Sequence, residues 1–349
     1  MTAEQRLNAF EGLKQFLEAY LNDDKGYTLS DKFGDLDAKL HEAQLYNGWF
    51  TKENLLKSLS GITHLLNKTD LQKALAQGRD PLHPKTVAII MAGNIPAVGF
   101  HDLLCVLLSG NKALIKLSSD DPILIPFLLE ILVLIAPDFK EQMAYAENRL
   151  SNFDAVIATG SNNSSNYFET YFGKYPHIIR KNRNSVAVIT GKETAEELAA
   201  LGPDIFDYYG LGCRNVSKLY VPEGYVLDPF FESVFNFGYV IDNKKYANNY
   251  EYNRALYLMG QHKFLDNNFL VIKEDATQFT SPVGVLFYEQ YKNTNELIAN
   301  LKSNKEQIQC IASSIKLDGI ETVEFGGTQS PGFFDYPDGV DVMEFLGKL

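Results

Sequence analysis

Apolar positions fall into two patterns along the chain, and the switch between them lies near residue 80. Over residues 3–22, Leu7, Phe10, Leu13, Phe16, Leu17 and Tyr20 recur at a 3.6-residue period, which predicts an amphipathic helix. Residues 36–41 and 52–75 continue that spacing, and Gly78-Arg79-Asp80-Pro81 breaks it. From residue 86 short continuous apolar runs take over. Thr86-Val87-Ala88-Ile89-Ile90-Met91 suits a parallel strand buried on both faces. Residues 98–108 suit a helix, with Gly110 at its C-terminal end. Further strands are expected at 113–117, 153–158 and 186–189, with helices at 122–134 and around 167–171. A helical stretch at 195–209 is expected to break at Gly202-Pro203. Beyond it follow a strand at 218–221, a helix near 228–238, and strands near 269–272 and 283–287.

Strands alternating with helices predict an α/β fold built on a doubly wound parallel sheet. The expected division is an N-terminal helical segment over 1–82, a dinucleotide-binding domain over 83–195, and a catalytic domain with a C-terminal tail over 196–349. Sheets of this kind hold ligands at the C-terminal ends of their strands. Gly93-Asn94, Ser118-Ser119 and Gly160-Ser161-Asn162 fall at those ends. Loops are polar in any protein, so placement alone leaves ligand binding and ordinary loop chemistry equally open.

Charge and cysteine usage narrow the class. A net charge of -12 over 349 residues, with no dominant basic stretch, argues against a nucleic-acid partner. No window approaches an apolar membrane span, and the first residues carry no apolar signal core. Three widely spaced cysteines form neither a disulfide framework nor a metal-ligand pattern, so the expectation is a cytoplasmic protein with reduced thiols and no metal. Cys105 and Cys310 lie in apolar runs and read as small core residues. Cys213 differs. It stands in Gly210-Leu211-Gly212-Cys213-Arg214-Asn215, ahead of the strand-like Lys218-Leu219-Tyr220-Val221. That predicts a thiol on a turn, where glycine permits close approach and the neighbouring cation favours thiolate.

Four segments in order carry a resemblance. Ala92-Gly93-Asn94-Ile95-Pro96 is similar to P-W-N-F-P, and the run Ser109-Gly110-Asn111-Lys112-Ala113-Leu114-Ile115-Lys116-Leu117-Ser118-Ser119 to A-G-N-T-V-V-L-K-P-S-E. Thr159-Gly160-Ser161-Asn162 is similar to T-G-S-T, and Gly210-Leu211-Gly212-Cys213 to G-Q-x-C with leucine for glutamine. From about residue 86 onward the chain resembles the aldehyde dehydrogenase superfamily, and within it the LuxC-type acyl-CoA reductases. The tail Gly326-Gly327-Thr328-Gln329-Ser330-Pro331, with Asp335, Asp338 and Asp341, is similar to the LuxC-type ending.

The resemblance implies an aldehyde-dehydrogenase-like fold and a cysteine mechanism. Cys213 would take the acyl group from acyl-CoA as a thioester, and hydride would then release a fatty aldehyde. Asn94 and the Cys213 backbone N–H would hold the oxyanion. Lys116, Ser118, Ser119, Gly160 and Ser161 would hold the cofactor, Gln278 would stand in for a carboxylate on the nicotinamide ribose, and Arg180 and Lys181 would meet a CoA phosphate. The oxidising relatives carry a base glutamate where this chain has Arg180-Lys181-Asn182-Arg183-Asn184-Ser185, which disfavours hydrolysis to the acid. Ser119 replaces a glutamate common in NAD-preferring members, which favours NADPH over NADH, although Asp120 stands beside it. Plainer roles compete: Asn94 and Ser161 as helix caps, Lys116 as a strand lysine reaching for water. The rival activities are an oxidising aldehyde dehydrogenase, a cysteine acyltransferase or thioesterase without hydride transfer, and a non-catalytic binding subunit. The superfamily's usual assembly is a dimer or tetramer; a homodimer is left open for this chain, as is an acyl-transfer or aldehyde-using partner protein. The chain is shorter than typical members, and the loss is expected in the oligomerisation hairpin and part of the substrate domain.

Overall fold

The helical spacing at the N-terminus becomes four helices, α1 (Ala3–Leu21), α2 (Phe33–Tyr46), α3 (Lys52–Leu65) and α4 (Lys68–Gln77). Thr2 opens α1 with a reciprocal cap, its hydroxyl accepting from the Gln5 N–H while its own N–H donates to the Gln5 side chain. The run 52–75, expected as one helix, is two. Asn67 accepts from the Asp70 N–H and starts a new helix there, a local cap overriding the continuous period. The computed structural model describes residues 1–78, 81–146, 149–160 and 162–349.

Two compact units result, Met1–Asn182 with Pro331–Leu349, and Arg183–Ser330. The first is built on a five-stranded parallel sheet. Its elements are β1 (Thr86–Ile90), α5 (Phe100–Leu108), β2 (Lys112–Lys116), α6 (Leu124–Ile135), β3 (Met143–Tyr145), β4 (Ala155–Thr159), α7 (Asn162–Phe172) and β5 (His177–Arg180). The strand order is β3-β2-β1-β4-β5, with β1 at the centre. Side chains alternate across β1, so Val87 and Ile89 join one apolar core with α1, α5 and α6. Ala88 joins another, with Phe153, Phe168 and Phe172 packed against it. The N-terminal helices therefore bury their apolar stripe on one face of this sheet and belong to its unit. The returning C-terminal segment does too, through Phe333, Val342, Met343 and Leu346.

The second unit carries β6 (Asn184–Val188), α8 (Ala195–Phe206), β7 (Val216–Pro222), α9 (Asp228–Ser233), α10 (Lys244–Met259), β8 (Leu265–Asp266), β9 (Val271–Glu274), β10 (Val285–Tyr291), α11 (Thr294–Ser303) and β11 (Ile308–Ser313). Its sheet runs β11-β6-β7-β10-β9-β8 and is parallel except for β8 against β9. The last helix, α12 (Val342–Gly347), packs in the first unit.

Three expectations are corrected. The strand at 186–189 was expected in the cofactor sheet. It is β6 of the second sheet, between β11 and β7, and the place it was given is filled by β5. A strand buried on both faces reads the same in either sheet. The units accordingly divide at 182–183 and 330–331, not at 195–196. Helix α8 also runs unbroken through Gly202-Pro203. The Phe237 ring fills the space a Cβ at residue 202 would need, and that ring stacks on Phe206 at 5.4 Å. Among the described residues, no helix is long and apolar enough to cross a membrane.

Candidate active site

In the first unit a cleft of about 590 Å³ opens at the C-terminal ends of β1, β2 and β4. Lys116, Ser118, Ser119, Thr159 and Gly160 line it, with Tyr145, Ser164 and Phe168. Four of the expected cofactor residues thus come together at one place. Gly160 in the lining and Gly93 packed behind Ser118 both need to be glycine. A Cβ on Gly93 would lie 2.5 Å from the Ser118 hydroxyl, and one on Gly160 would lie 2.8 Å from Ser164 Cβ. Glycine at 160 lets the strand-to-helix turn sit tight on α7, the arrangement in which a helix N-terminus faces an anion. Lys116 is the single charged residue among the described lining, and no carboxylate is present there. Asp120, the residue that clouded the cofactor preference, does not line the cleft; its N–H is held by the Ser118 hydroxyl at 3.1 Å. A cleft lined by serines, a glycine and one cation, with no carboxylate among the described lining residues, suits a phosphate-bearing dinucleotide. Ser161 lies outside the described residues.

Asn94 is exposed on the turn after β1. The turn is held from behind. Ser58 donates to the Pro96 carbonyl at 2.8 Å. Asp121, buried, accepts from the Ala97 N–H at 2.7 Å and the Leu124 N–H at 3.3 Å. Burial pushes the Asp121 carboxyl up in pKa, and these backbone donors oppose the rise. Ala97 sits at φ 53, a left-handed conformation that a non-glycine residue adopts at a cost of about 1–2 kcal/mol. Such strain persists where surrounding bonds fix it, as Asp121 does here.

In the second unit Cys213 is half-buried on the turn between α8 and β7. Tyr208, Tyr209 and Gly210, just before it, all have positive φ, at 52, 58 and 76. Asn215, 1% exposed, ties this strained stretch down. Its side-chain oxygen accepts from the Gly212 N–H at 2.8 Å, and its amide donates to the carbonyls of Asp207 at 2.9 Å and Asp204 at 3.2 Å. Arg214 donates from Nε to the Thr328 carbonyl at 2.7 Å. Thr328 is in turn gripped by the buried Asp204, which accepts from the Thr328 N–H and hydroxyl and from the Gly326 N–H. The Gly326-to-Pro331 motif is therefore wired to the cysteine turn through Asp204 and Arg214. No sequence period signals that link.

The remaining expected residues separate. Arg180, at the end of β5, is 3% exposed and paired with Asp102 of α5. A guanidinium so enclosed does not present itself to a CoA phosphate, and that reading of Arg180 is withdrawn. The spacing of Arg180, Lys181 and Arg183 suggested a common strip, but strand alternation turns Arg180 inward. Lys181 is exposed. Gln278 is exposed in the second unit, its N–H donating to Asp275 at 3.1 Å. The adjoining Phe279 and Thr280 anchor to the sheet through the Ser217 hydroxyl at 2.5 Å and Asn184 at 2.6 Å. Cys105 is buried as expected, whereas Cys310 is only half-buried and contacts the Ser185 hydroxyl, so it is not simply a core residue.

Solved structures show the fold first. The fold matches that of a Mycobacterium tuberculosis aldehyde dehydrogenase complexed with NAD+, with a TM-score of 0.63, 14% identity, and coverage of 90% of this chain and 73% of that one. It also matches an Escherichia coli NADP-dependent enzyme, at a TM-score of 0.65, 13% identity, and coverage of 93% and 78%. Aldehyde dehydrogenase 21 from Physcomitrella patens, complexed with succinate, matches at a TM-score of 0.67, 14% identity, and coverage of 99% and 85%. The fold is that of the aldehyde dehydrogenase superfamily. Within that class the sequence is specific: residues 27–230 match the family model for LuxC acyl-CoA reductase, and the chain belongs to that family of oxidoreductases. No curated protein matches it.

Proposed function

We propose that the protein reduces a long-chain acyl-CoA to the fatty aldehyde through a thioester on Cys213, with NADPH as the preferred cofactor. The observation that carries this reading is the Cys213 turn itself. It is half-exposed, preceded by three left-handed residues, and held by Asn215 and Arg214. A thiol placed so, in a chain of this family, is built for attack on a thioester carbonyl. The Cys213 sulfur forms the new C–S bond as CoA leaves as its thiol. The Cys213 N–H is the donor that the turn itself offers to the oxyanion preceding this departure, and Asn94 is the candidate for a second. Lys116, Ser118, Ser119, Gly160 and Ser161 hold the dinucleotide, Gln278 serves its nicotinamide end, and Lys181 is the remaining candidate for a CoA phosphate. The bound cofactor supplies the hydride.

Direction follows from what the chain withholds. The stretch from Arg180 to Ser185 offers no carboxylate to activate water, and Arg180 is committed to Asp102. The acyl group on Cys213 is therefore left for reduction. The absence of a carboxylate from the described cleft lining favours a cofactor with an additional phosphate. A nucleophilic thiol fits a reducing compartment, the cytoplasm.

Mass spectrometry after incubation with acyl-CoA of several lengths tests the proposal. The acyl mass is expected on Cys213 and is expected to disappear, with aldehyde formed, on a chase with NADPH faster than with NADH. A Cys213→Ala variant that still gains the acyl mass would refute it.

A further inference from the structure

The second thiol of this unit, Cys310, meets the Cys213 turn through one hydroxyl. Ser185 is fully buried in β6. Its Oγ lies 3.1 Å from the Cys213 carbonyl oxygen and 2.9 Å from Cys310 Sγ, and the Cys310 N–H donates to it at 3.3 Å. The Ser185 main chain is engaged as well, its N–H donating to the Asn215 carbonyl at 3.2 Å and its carbonyl accepting from the Ser217 hydroxyl at 3.5 Å.

The sheet is irregular on both sides of this residue. Pairing of β6 with β7 shifts register between Ser185 and Val186, and pairing of β11 with β6 shifts between Ile308 and Ile311. Bulges re-aim side chains, and they concentrate beside active sites. Here the double irregularity leaves the Cys310 N–H to donate to a side-chain hydroxyl. The same hydroxyl reaches the carbonyl of the nucleophile.

We propose that Ser185 is a positioning residue for Cys213 and that Cys310 keeps it donating in the right direction. A serine hydroxyl has one proton and two lone pairs. The Cys213 carbonyl can only accept, so the Ser185 proton goes there. The two lone pairs then receive the Cys310 N–H and S–H. Cys310 is a donor in this arrangement and not a second nucleophile. Losing its S–H removes one of the two bonds that orient Ser185. Losing the Ser185 hydroxyl releases the Cys213 carbonyl, in the peptide that follows the nucleophile. The inference rests on the reading of Cys213 as the nucleophile.

The test is the single-turnover rate at which a fatty acyl-CoA adds its acyl mass to Cys213, measured with the KM for that acyl-CoA. Ser185→Ala is expected to slow acyl uptake about tenfold, the equivalent of one lost hydrogen bond, with KM within about twofold. Ser185→Thr, which keeps the hydroxyl, is expected to recover most of the rate. Cys310→Ala is expected to slow uptake about threefold, and Cys310→Ser, which restores a donor, to recover it. Thermal midpoints confirm that each variant folds; if Ser185→Ala does not, the Cys310 pair decides. Equal rates for wild type, Ser185→Ala and Cys310→Ala overturn the inference while leaving the nucleophile in place. No acyl mass on the wild-type protein overturns the nucleophile reading and the inference with it.

Discussion

The cleft of the first unit and the cysteine turn of the second are built by opposite means. The cleft is shaped by close packing: the missing Cβ atoms of Gly93 and Gly160 let Ser118, Ser164 and Phe168 come in, and Ser119 stands exposed in the lining while Asn94 is exposed on the turn after β1. The cysteine turn is shaped by bonds that are made. Asn215, Asp204, Arg214 and Ser185 all hold main-chain groups around Cys213 or the segment that braces it. A surface that must receive a ligand presents donors to solvent. A nucleophile that must meet a carbonyl at one angle is held from several directions. Asn94 belongs to both styles, exposed itself but on a turn pinned by Asp121 and Ser58.

The contrast breaks most sharply at Asp102, where the first unit carries a buried web of its own. Burial alone would push the Asp102 carboxyl up. The Arg180 guanidinium and the His101 ring outweigh burial and hold it well below its ordinary 3.8. His101 in turn contacts the Phe333 carbonyl through Nε2 at 2.9 Å, tying the returning tail to α5. Asp102→Asn leaves a buried guanidinium without its partner and is expected to cost about 3–5 kcal/mol at neutral pH, read by urea unfolding. A carboxyl depressed in the folded state contributes fully above about pH 4 and loses that contribution as pH falls through the folded value. The stability gap between wild type and variant is therefore expected to shrink below about pH 4. A gap constant with pH would show that packing, not the ion pair, holds this corner.

Asn94 sharpens the comparison from the other side. Because it is exposed, Asn94→Ala is expected to leave the thermal midpoint unchanged. If its amide holds the oxyanion as proposed, the acyl-transfer rate is expected to fall about 100-fold or more, equivalent to about 3 kcal/mol. A midpoint that drops while the rate holds would make Asn94 a cap for the helix that follows and nothing more.

What the sequence made legible follows the same division. The cleft could be read because its residues are contiguous in short motifs at strand ends: Lys116 to Ser119, and Thr159-Gly160. The strands themselves announced their burial through apolar runs. The edge strand β3 has three residues, and β5 reads as a short run between basic residues, so neither carries a period. Helix α10 is rich in tyrosine and asparagine and buries only Tyr246, Tyr250 and Asn253, too few for an amphipathic signal. The web around Cys213 was invisible for another reason. Asp204 reaches Thr328, and Ser185 reaches Cys310, across separations of more than a hundred residues. Arg180 looked like surface because its neighbours in sequence are cationic, while its partner Asp102 lies 78 residues away.

Ser119 carries the smallest expected effect and the finest distinction. It is exposed on the lip of the cleft, and Lys116 is the only charge among the described lining residues. An added phosphate on the adenosine ribose would meet a cation and no anion there. Ser119→Glu places a carboxylate that can accept from a ribose hydroxyl and repel a phosphate. The ratio of kcat/KM for NADPH to that for NADH is expected to fall about tenfold, or about 1.4 kcal/mol, with little change in thermal midpoint. Asp120 in the wild-type chain is not among the lining residues, and its N–H is tied to Ser118. A wild-type preference for NADH would place the controlling charge elsewhere than at residue 119. An unchanged ratio in Ser119→Glu would mean that the cleft, unlike the cysteine turn, tolerates a new charge by letting the side chain swing into solvent.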